Sequence, residues 1–203
     1  MNDLKNIDGV YFDFGGVISV SPMPKWEKTL YPYCESVGLS RRAAIDGFAR
    51  FRSLWDGGEM TFEDLYRHIF KVNALLEPSA AILAEIRRLD AASWVDELRP
   101  DTLGLMRELK AKGKKIGILS NMAPDFYDDY FKGACAEYIA LADVEIISGF
   151  VRLCKPDPKI YALAAERIGI APARLMFYDD FAHNVAAARE CGWQAEVYPP
   201  YAR

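Results

Sequence analysis

The sequence contains little histidine and no closely spaced cysteines. Its two histidines, His68 and His183, are far apart in the chain, which disfavours a zinc site built on histidine ligands. The four cysteines form no CxxC pair, so reduced thiols and a cytoplasmic location are expected. No apolar run is long enough to span a bilayer, and no basic segment with an apolar core opens the sequence, so neither a membrane anchor nor a signal peptide is expected.

Strong charge of one sign is also absent. A formal net charge of -4 provides no basic surface for nucleic acid or for an anionic membrane, so neither is an expected partner. A small anionic ligand would therefore need local cations or a metal ion. The 203 residues, of which 51% are hydrophobic, are enough for a core, either in one domain with a sizeable insertion or in two small domains.

A short buried strand is predicted near the start of the sequence. The bulky run from Val10 to Phe12 is typical of such a strand, and it ends at Asp13, which is followed by Phe14 and two glycines. In an open α/β sheet, ligands bind beyond the carboxyl ends of parallel strands, and glycines let the backbone approach an anion. Asp13 is therefore placed for chemistry, although an ordinary turn after a strand has the same pattern.

The segment from about residue 20 to 94 has helical periodicity. Helices are predicted over about 24–37, 41–54, 61–73 and 79–89. Thr61 with Asp64 three residues later is typical of a helix start. This segment is interpreted as a helical lid inserted after the first strand.

From Arg99 onward the pattern alternates between helix and strand. Strands are predicted over 116–119, 144–147, 175–178 and 193–198, and helices are predicted after Asp101, over 158–168 and over 182–189. Asp101 and Asp157 are the expected helix caps, and Gly113 and Gly169 the expected helix ends.

Polar side chains follow three of the predicted strands. Asp13 follows the first, Ser120 and Asn121 follow the second, and Asp179 and Asp180 follow the fourth. The carboxyl ends of parallel strands meet at one edge of a sheet. Carboxylates from two strands would suit Mg²⁺, and a hydroxyl, an amide and the ammonium group of a lysine would complete a phosphate cradle.

The order FDFGGV, ILSN, KPDPKIY and FYDDFAHNV resembles the four motifs of the haloacid dehalogenase (HAD) superfamily of aspartate-nucleophile phosphatases. The resemblance covers the whole chain. It implies an α/β fold with a doubly wound, mainly parallel, Rossmann-like core sheet formed by residues 1–19 and 95–203, and an inserted helical-bundle cap formed by residues 20–94. It also implies Mg²⁺ as cofactor, a small phosphorylated metabolite as substrate and an aspartyl-phosphate intermediate.

The resemblance assigns roles residue by residue. Asp13 would be the nucleophile and a metal ligand, and the carbonyl of Gly15 would be another ligand. Asp180, supported by Asp179 with Asn184 behind them, would be the principal acidic ligand of the last motif. Lys155 would neutralise the phosphoryl group and hold the nucleophile. The phosphate-binding positions would be Phe14, Gly15, Ser120, Asn121 and Lys155.

The sequence departs from the common phosphatase pattern at Gly15, where most of these phosphatases have an acid-base aspartate. The FDxG form resembles a subset that includes glucose-1-phosphate phosphatases and the phosphatase-like domain of some epoxide hydrolases. The favoured substrate therefore has a good leaving group, such as an anomeric sugar phosphate, or brings its own proton donor, because general acid-base help is worth about 10²–10⁴-fold. Two alternatives stay open: a dehalogenase that hydrolyses carbon-halogen bonds, and a binding protein that has lost turnover.

Several other side chains have less specific interpretations. One or two of the aromatic residues at Trp26, Tyr31, Tyr33, Phe48, Phe51, Trp55, Phe62 and Tyr66 are expected to touch substrate, and the others to be core. The arginines Arg50, Arg52 and Arg152, the acidic residues Asp125, Asp128 and Asp129, and His183 are expected on solvated surfaces. Cys154 is expected to be a spectator beside Lys155.

Overall fold

The computed structural model describes residues 4–201 of the chain. The strands are β1 Gly9–Phe12, β2 Lys115–Ser120, β3 Val144–Ile147, β4 Leu175–Asp179 and β5 Gln194–Val197. The α-helical segments are α1 Met23–Lys25, α2 Tyr31–Ser36, α3 Arg41–Asp56, α4 Phe62–Val72, α5 Ala80–Val95, α6 Pro100–Ala111, α7 Pro124–Phe126, α8 Lys132–Ala134, α9 Ala136–Ile139, α10 Ser148–Val151, α11 Pro158–Ile168 and α12 Ala182–Glu190. Two π-helical turns, Trp26–Leu30 and Tyr127–Phe131, and two 3-10 turns, Leu4–Asn6 and Pro172–Arg174, complete the helical structure.

The five strands form one parallel sheet in the order β3-β2-β1-β4-β5. Strand β1 is central, and Phe12 is in register with Ile118 of β2 on one side and with Tyr178 of β4 on the other. All strands are parallel, so their carboxyl ends lie at one edge of the sheet. The predicted α/β class and parallel sheet are confirmed.

Each face of the sheet is covered by helices and has its own apolar core. Val10 and Phe12 of β1 belong to the larger core, which also contains the side chains of α3, α4 and α5, whereas Tyr11 belongs to the core beneath α11 and α12. This alternation follows from the period of two in a strand. A strand buried on both faces is continuously apolar, which explains the pattern of β1.

The segment between β1 and α6 is helical, as a cap would require. Helix α3 packs against α2 and α4, and α5 packs against the π-helical turn Trp26–Leu30. At the base of this segment Ser19 and Leu98 form an antiparallel bridge, so the outgoing and returning chains lie side by side. The division into a core of residues 1–19 and 95–203 and a cap of residues 20–94 stays a prediction.

Most helix signals agree with the structure, and one does not. Thr61 and Asp64 form the reciprocal hydrogen bonds of a capping box, and Asp157 accepts a hydrogen bond from Lys159 N at 2.9 Å. Asp101 does not cap α6: the helix begins at Pro100, and Asp101 instead pairs with Arg99 at 2.8 Å. Proline at the first helical position starts this helix without a side-chain cap, because its φ is already helical.

Among the described residues, no helix combines the length and the apolar character that crossing a bilayer requires.

Candidate active site

A cavity of about 710 Å³ lies at the carboxyl edge of the sheet. Asp13 lines it from the end of β1, Ser120 and Asn121 line it from the end of β2, and Lys155 and Asp180 complete its floor. Phe14 and Gly15 border it as well. The structure thus brings the predicted site residues together, except that Asp179 is fully buried behind this floor.

The two carboxylate oxygens of Asp13 have different environments. Oδ1 accepts hydrogen bonds from Lys155 Nζ at 2.9 Å and from Phe14 N at 2.7 Å. Among the described residues, Oδ2 accepts none. Burial raises the pKa of Asp13 to about 6, although the positive charge of Lys155 opposes this. Asp13 therefore has one fixed oxygen and one oxygen that is free to react or to bind a metal ion.

Lys155 is the buried cation of the site. Its Nζ donates to Asp13 Oδ1 at 2.9 Å and to Asp179 Oδ2 at 2.6 Å. Burial opposes its charge, but these two carboxylates outweigh that effect and raise the pKa of Lys155. Lys155 is therefore an ammonium ion that neutralises part of the acidic cluster.

Asn121 and Asn184 hold neighbouring groups in place. The side-chain amide of Asn121 donates to Lys155 O at 2.9 Å and accepts from Lys155 N at 2.7 Å. Asn184 Nδ2 donates to both oxygens of Asp179 at 3.1 Å. The Asn121 side chain therefore positions Lys155, and the second N–H of its Nδ2 has no acceptor among the described residues. Its contact with phosphate stays a prediction.

The acidic cluster fits a divalent cation. Asp13, Asp179 and Asp180 each offer an oxygen within 4.8 Å of the others. Asp180 Oδ1 is buried without a hydrogen-bond partner among the described residues. Burial, with the charges of Asp13 and Asp179, raises the pKa of Asp180 to about 7. Carboxylate oxygens are the ligands that Mg²⁺ prefers, and the single ammonium group of Lys155 does not balance three carboxylates. Among the described residues, the Gly15 carbonyl also accepts no hydrogen bond, so it is available as a further ligand.

The glycines after Asp13 allow two close approaches. Gly16 has φ +70°, and a Cβ there would lie 2.7 Å from Asp180 Oδ2, so the turn can pass the acidic cluster only with glycine. A Cβ at Gly15 would lie 3.0 Å from Trp94 Cζ3 of α5. The indole of Trp94 therefore fills the space into which an acidic side chain at position 15 would extend.

The wall of the cavity opposite the sheet is formed by aromatic residues and one ion pair. Trp26, Tyr31, Phe48 and Trp55 line it, whereas Tyr33, Phe51, Phe62 and Tyr66 lie outside it. Arg52 also lines the cavity and pairs with Asp56 at 2.9 Å. The prediction of a solvated Arg52 is wrong, because the i, i+4 spacing on α3 places Asp56 beside it at the cavity wall.

The solvated acidic face predicted for Asp125, Asp128 and Asp129 is wrong for Asp125. Asp125 accepts hydrogen bonds from Trp55 Nε1 at 2.9 Å, from Phe62 N at 3.0 Å and from Arg87 Nη1 at 3.2 Å. Asp129 accepts from Arg87 at 2.7 Å. The aromatic and amide donors of the helical segment come from far along the chain, so local spacing gave no sign of them. Asp128 and Asp129 are both exposed, as expected.

The remaining predicted residues lie at the wall or rim of the cavity or outside it. Arg50 is exposed, as predicted. Arg152 is exposed, as predicted, and its Nη1 donates to Gly57 O at 3.2 Å. Cys154 lines the cavity wall, and the exposed ring of His183 lies at the cavity rim and packs on Phe181. The sequence analysis missed Trp94 and the Arg52–Asp56 pair. The i, i+4 spacing of Arg52 and Asp56 is a signal that could have indicated the pair, whereas no local pattern indicates the position of Trp94.

Known proteins similar to this chain include phosphatases and a dehalogenase. The chain is 26% identical to a phosphatase of Mycobacterium tuberculosis over 197 residues, covering 94% of this chain and 86% of that protein. A HAD family enzyme from Bacteroides thetaiotaomicron, solved with magnesium and inorganic phosphate, shares the fold at a TM-score of 0.64 and 18% identity, with 97% and 96% of the two chains covered. An L-2-haloacid dehalogenase from Xanthobacter autotrophicus superposes at a TM-score of 0.63 and 25% identity, covering 93% of this chain and 76% of that one.

A family model also matches most of the chain. The model describes haloacid dehalogenase-like hydrolases and matches residues 7–192, which include all the strand ends at the cavity. The chain therefore belongs to the haloacid dehalogenase-like hydrolase family, and it is a hydrolase with the Rossmann-like fold of that family.

Proposed function

We propose that this hydrolase is a Mg²⁺-dependent phosphatase that acts on a small phosphorylated metabolite, a sugar phosphate in particular, with Asp13 as nucleophile. The observation that carries the proposal is the free Oδ2 of Asp13, which faces the cavity while Lys155 holds Oδ1 at 2.9 Å. The phosphatase relative and the solved magnesium and phosphate complex support it.

In the first step Asp13 Oδ2 attacks phosphorus. The new O–P bond forms as the bond from phosphorus to the ester oxygen breaks, and the leaving alcohol takes a proton from solvent. Lys155 offsets the negative charge of the phosphoryl group. Gly15 and Gly16 line the same cavity, and their N–H groups, which have no acceptor among the described residues, can donate to the phosphoryl oxygens.

In the second step a water molecule attacks phosphorus of the aspartyl phosphate. The bond to Asp13 breaks, inorganic phosphate leaves, the proton of the water passes to solvent, and the carboxylate is regenerated. Asp13, Asp180, Asp179 and the Gly15 carbonyl would hold Mg²⁺, which supplies charge neutralisation and in-line alignment when bound.

The absence of an acid at position 15 restricts the substrate. Trp94 fills the adjacent space, so no side chain there can protonate the leaving oxygen. An ester with a good leaving group, such as a sugar phosphate substituted at the anomeric carbon, is then hydrolysed fastest. We expect an aryl phosphate to be hydrolysed faster than simple alkyl phosphates, and equal rates limited by chemistry would contradict this restriction.

The test is a screen of sugar and small-metabolite phosphates with and without Mg²⁺, with Asp13→Asn as the control. We expect phosphate release that needs Mg²⁺ and is lost in Asp13→Asn. Turnover that survives in Asp13→Asn would show that the chemistry resides elsewhere.

The dehalogenase alternative is tested in the same preparation. The similarity to a dehalogenase and the glycine at position 15 favour it, but adjacent Asp179 and Asp180 would repel a carboxylate substrate. Chloride release from a 2-haloacid in the presence of a chelator would support a dehalogenase. Failure of Mg²⁺ with beryllium fluoride to bind and stabilise the protein would support a binding protein without turnover.

A further inference from the structure

Arg52 and Asp56 form an ion pair at the cavity wall contributed by the helical segment. Both residues lie on α3, and Arg52 Nε donates to Asp56 Oδ2 at 2.9 Å. The side chain of Asp56 is 8% exposed and that of Arg52 is 33% exposed. Both line the cavity that also contains Asp13. The pair is therefore placed to meet the part of a substrate that extends away from the sheet.

Two aromatic rings hold the guanidinium in place. The Cζ atom of Arg52 lies 5.7 Å from the ring centre of Phe48 and 5.6 Å from that of Trp94. Trp26 contacts both rings edge-on, at 5.7 Å and 5.4 Å between centroids. Trp94 also borders Gly15, so one indole connects the phosphoryl site with the ion pair. A guanidinium fixed in this way loses little conformational freedom when it binds a ligand.

The pair keeps unused hydrogen-bonding capacity on both partners. Within residues 4–201, neither Nη atom of Arg52 has an acceptor, and Asp56 Oδ1 has no donor. The wall therefore presents the N–H donors of both Nη atoms beside one free carboxylate oxygen. Pockets of this kind, with apolar walls and a few polar groups, fix the orientation of a ligand through those groups.

The charge at this wall favours a neutral group of the substrate over a second negatively charged group in addition to the phosphate. Asp56 neutralises the charge of Arg52. Asp90 is a second carboxyl near Arg52: burial raises the pKa of Asp90 to about 7, and the charge of Arg52 partly opposes that rise. The wall thus has no excess positive charge. An alcohol group can both accept from an Nη atom and donate to Asp56, whereas a carboxylate would be repelled by Asp56. A ring that carries adjacent hydroxyl groups fits this wall. Its hydroxyl groups would pair with the N–H donors and the carboxylate acceptor, and its apolar face would pack against the aromatic side chains.

We propose that Arg52 and Asp56 bind hydroxyl groups of the leaving alcohol, so that the pair selects sugar or polyol phosphates over esters that lack hydroxyls or carry a carboxylate. This inference rests on the proposed phosphatase function. Arg52 contacts the part of the substrate that leaves, and Asp56 both orients Arg52 and accepts a hydroxyl proton in a hydrogen bond.

The experiment compares three esters in the wild type, Arg52→Gln and Asp56→Asn, each with Mg²⁺: a hexose 1-phosphate, p-nitrophenyl phosphate and phosphoglycolate. We expect the ratio of kcat/KM for the hexose phosphate to that for the aryl phosphate to fall about 10- to 100-fold in both variants, the effect of losing hydrogen bonds to charged groups. In Asp56→Asn, kcat/KM for phosphoglycolate should rise relative to the other two esters, because Arg52 is then unneutralised.

Arg50→Gln is the matched control, because Arg50 lies on the same helix but is exposed and outside the cavity. Thermal unfolding establishes that each variant is folded. Binding of the hexose phosphate to Asp13→Asn, with and without Arg52→Gln, is measured by calorimetry and needs no turnover, so it separates failure of recognition from failure of the phosphatase function. Equal losses for all three esters, or binding that Arg52→Gln leaves unchanged, would overturn the proposal. Wild-type hydrolysis that does not depend on Asp13 would instead overturn the proposed function.

Discussion

Gly15 shows how one residue can determine the chemistry of a site. An added Cβ would lie 3.0 Å from Trp94 Cζ3. Neither atom can move away easily, because Cβ is fixed to the main chain and the indole packs against Phe14 and Trp26. Overpacking of this kind costs about 1–3 kcal/mol. We therefore expect Gly15→Ala to lower the free energy of unfolding in urea, and Gly15→Asp to lower it further without gaining activity on alkyl phosphates.

Gly104 provides the control for this prediction, because a Cβ at this exposed position on α6 meets nothing within 4 Å. Gly104→Ala should raise stability by about 0.5–1 kcal/mol, the usual gain for glycine replaced in a helix. Shortening the indole in Gly15→Asp/Trp94→Leu should recover part of the lost stability. If Gly15→Ala proved as stable as the wild type, Trp94 would not be the barrier at this position.

At the scale of residues, the sequence predicts the sheet side of the site and misses the opposite wall. Asp13, Lys155 and Asp180 were predictable because each lies at or near the end of an apolar strand or in a recognisable motif. Trp94 was not, because it comes from about 80 residues further along the chain and meets Gly15 only through the packing of α5. Arg52 was misjudged because spacing alone does not reveal whether a helix face meets solvent or a cavity.

At the scale of elements, α7 connects the helical segment to the sheet through Asp125. This one carboxylate accepts from the end of α3, the start of α4 and the middle of α5. Hydrogen bonds to a charged group contribute about 1.5–3 kcal/mol, and removing the acceptor leaves Phe62 N without a partner. We expect Asp125→Ala to lower the free energy of unfolding by about 2–3 kcal/mol and to speed hydrogen exchange at the start of α4.

Asp128→Ala is the matched control, because Asp128 is on the same segment and exposed. It should change stability by less than about 0.5 kcal/mol, as surface substitutions usually do. Equal effects of the two substitutions would mean that Asp125 does not couple the helical segment to the sheet. Local sequence patterns predicted the strands and most of the longer helices within a few residues, but gave no bounds for the short helices α7 to α10. Helix α5 runs to Val95 rather than to about residue 89, and Trp94 in its last turn packs against Phe14 and Trp26.

At the scale of the whole molecule, residues from both ends of the chain meet at one point. Parallel pairing of β1 with both β2 and β4 places Asp13 between Ser120 and Asp180. The alternation of helix and strand predicts that strand ends converge, whereas the order β3-β2-β1-β4-β5 follows from long-range packing that no local pattern contains. The same convergence concentrates carboxylates, so folding and ionisation of the site are coupled.

This coupling predicts how stability depends on pH and Mg²⁺. The pKa values of Asp13 and Asp180 rise from 3.8 to about 6 and about 7 on folding, so their protonated forms favour the folded state. Without metal, the stability they contribute is complete below about pH 4 and is lost as the pH rises through 6 to 7. Mg²⁺ requires the ionised carboxylates, so we expect it to raise the melting temperature more at pH 8 than at pH 5. At pH 8, a Mg²⁺ concentration of 100 times its Kd should stabilise the folded state by about 2.7 kcal/mol.

Asp180→Asn tests this coupling, because the amide keeps the shape and removes the charge. Without Mg²⁺ the variant should melt at a higher temperature than the wild type at pH 8 and at a similar temperature at pH 5. Its melting temperature should no longer rise with added Mg²⁺, whereas Asp128→Asn, at an exposed carboxylate, should behave as the wild type. A Mg²⁺ response that persists in Asp180→Asn, or a wild type that Mg²⁺ does not stabilise at pH 8, would place the metal ligands elsewhere in the fold.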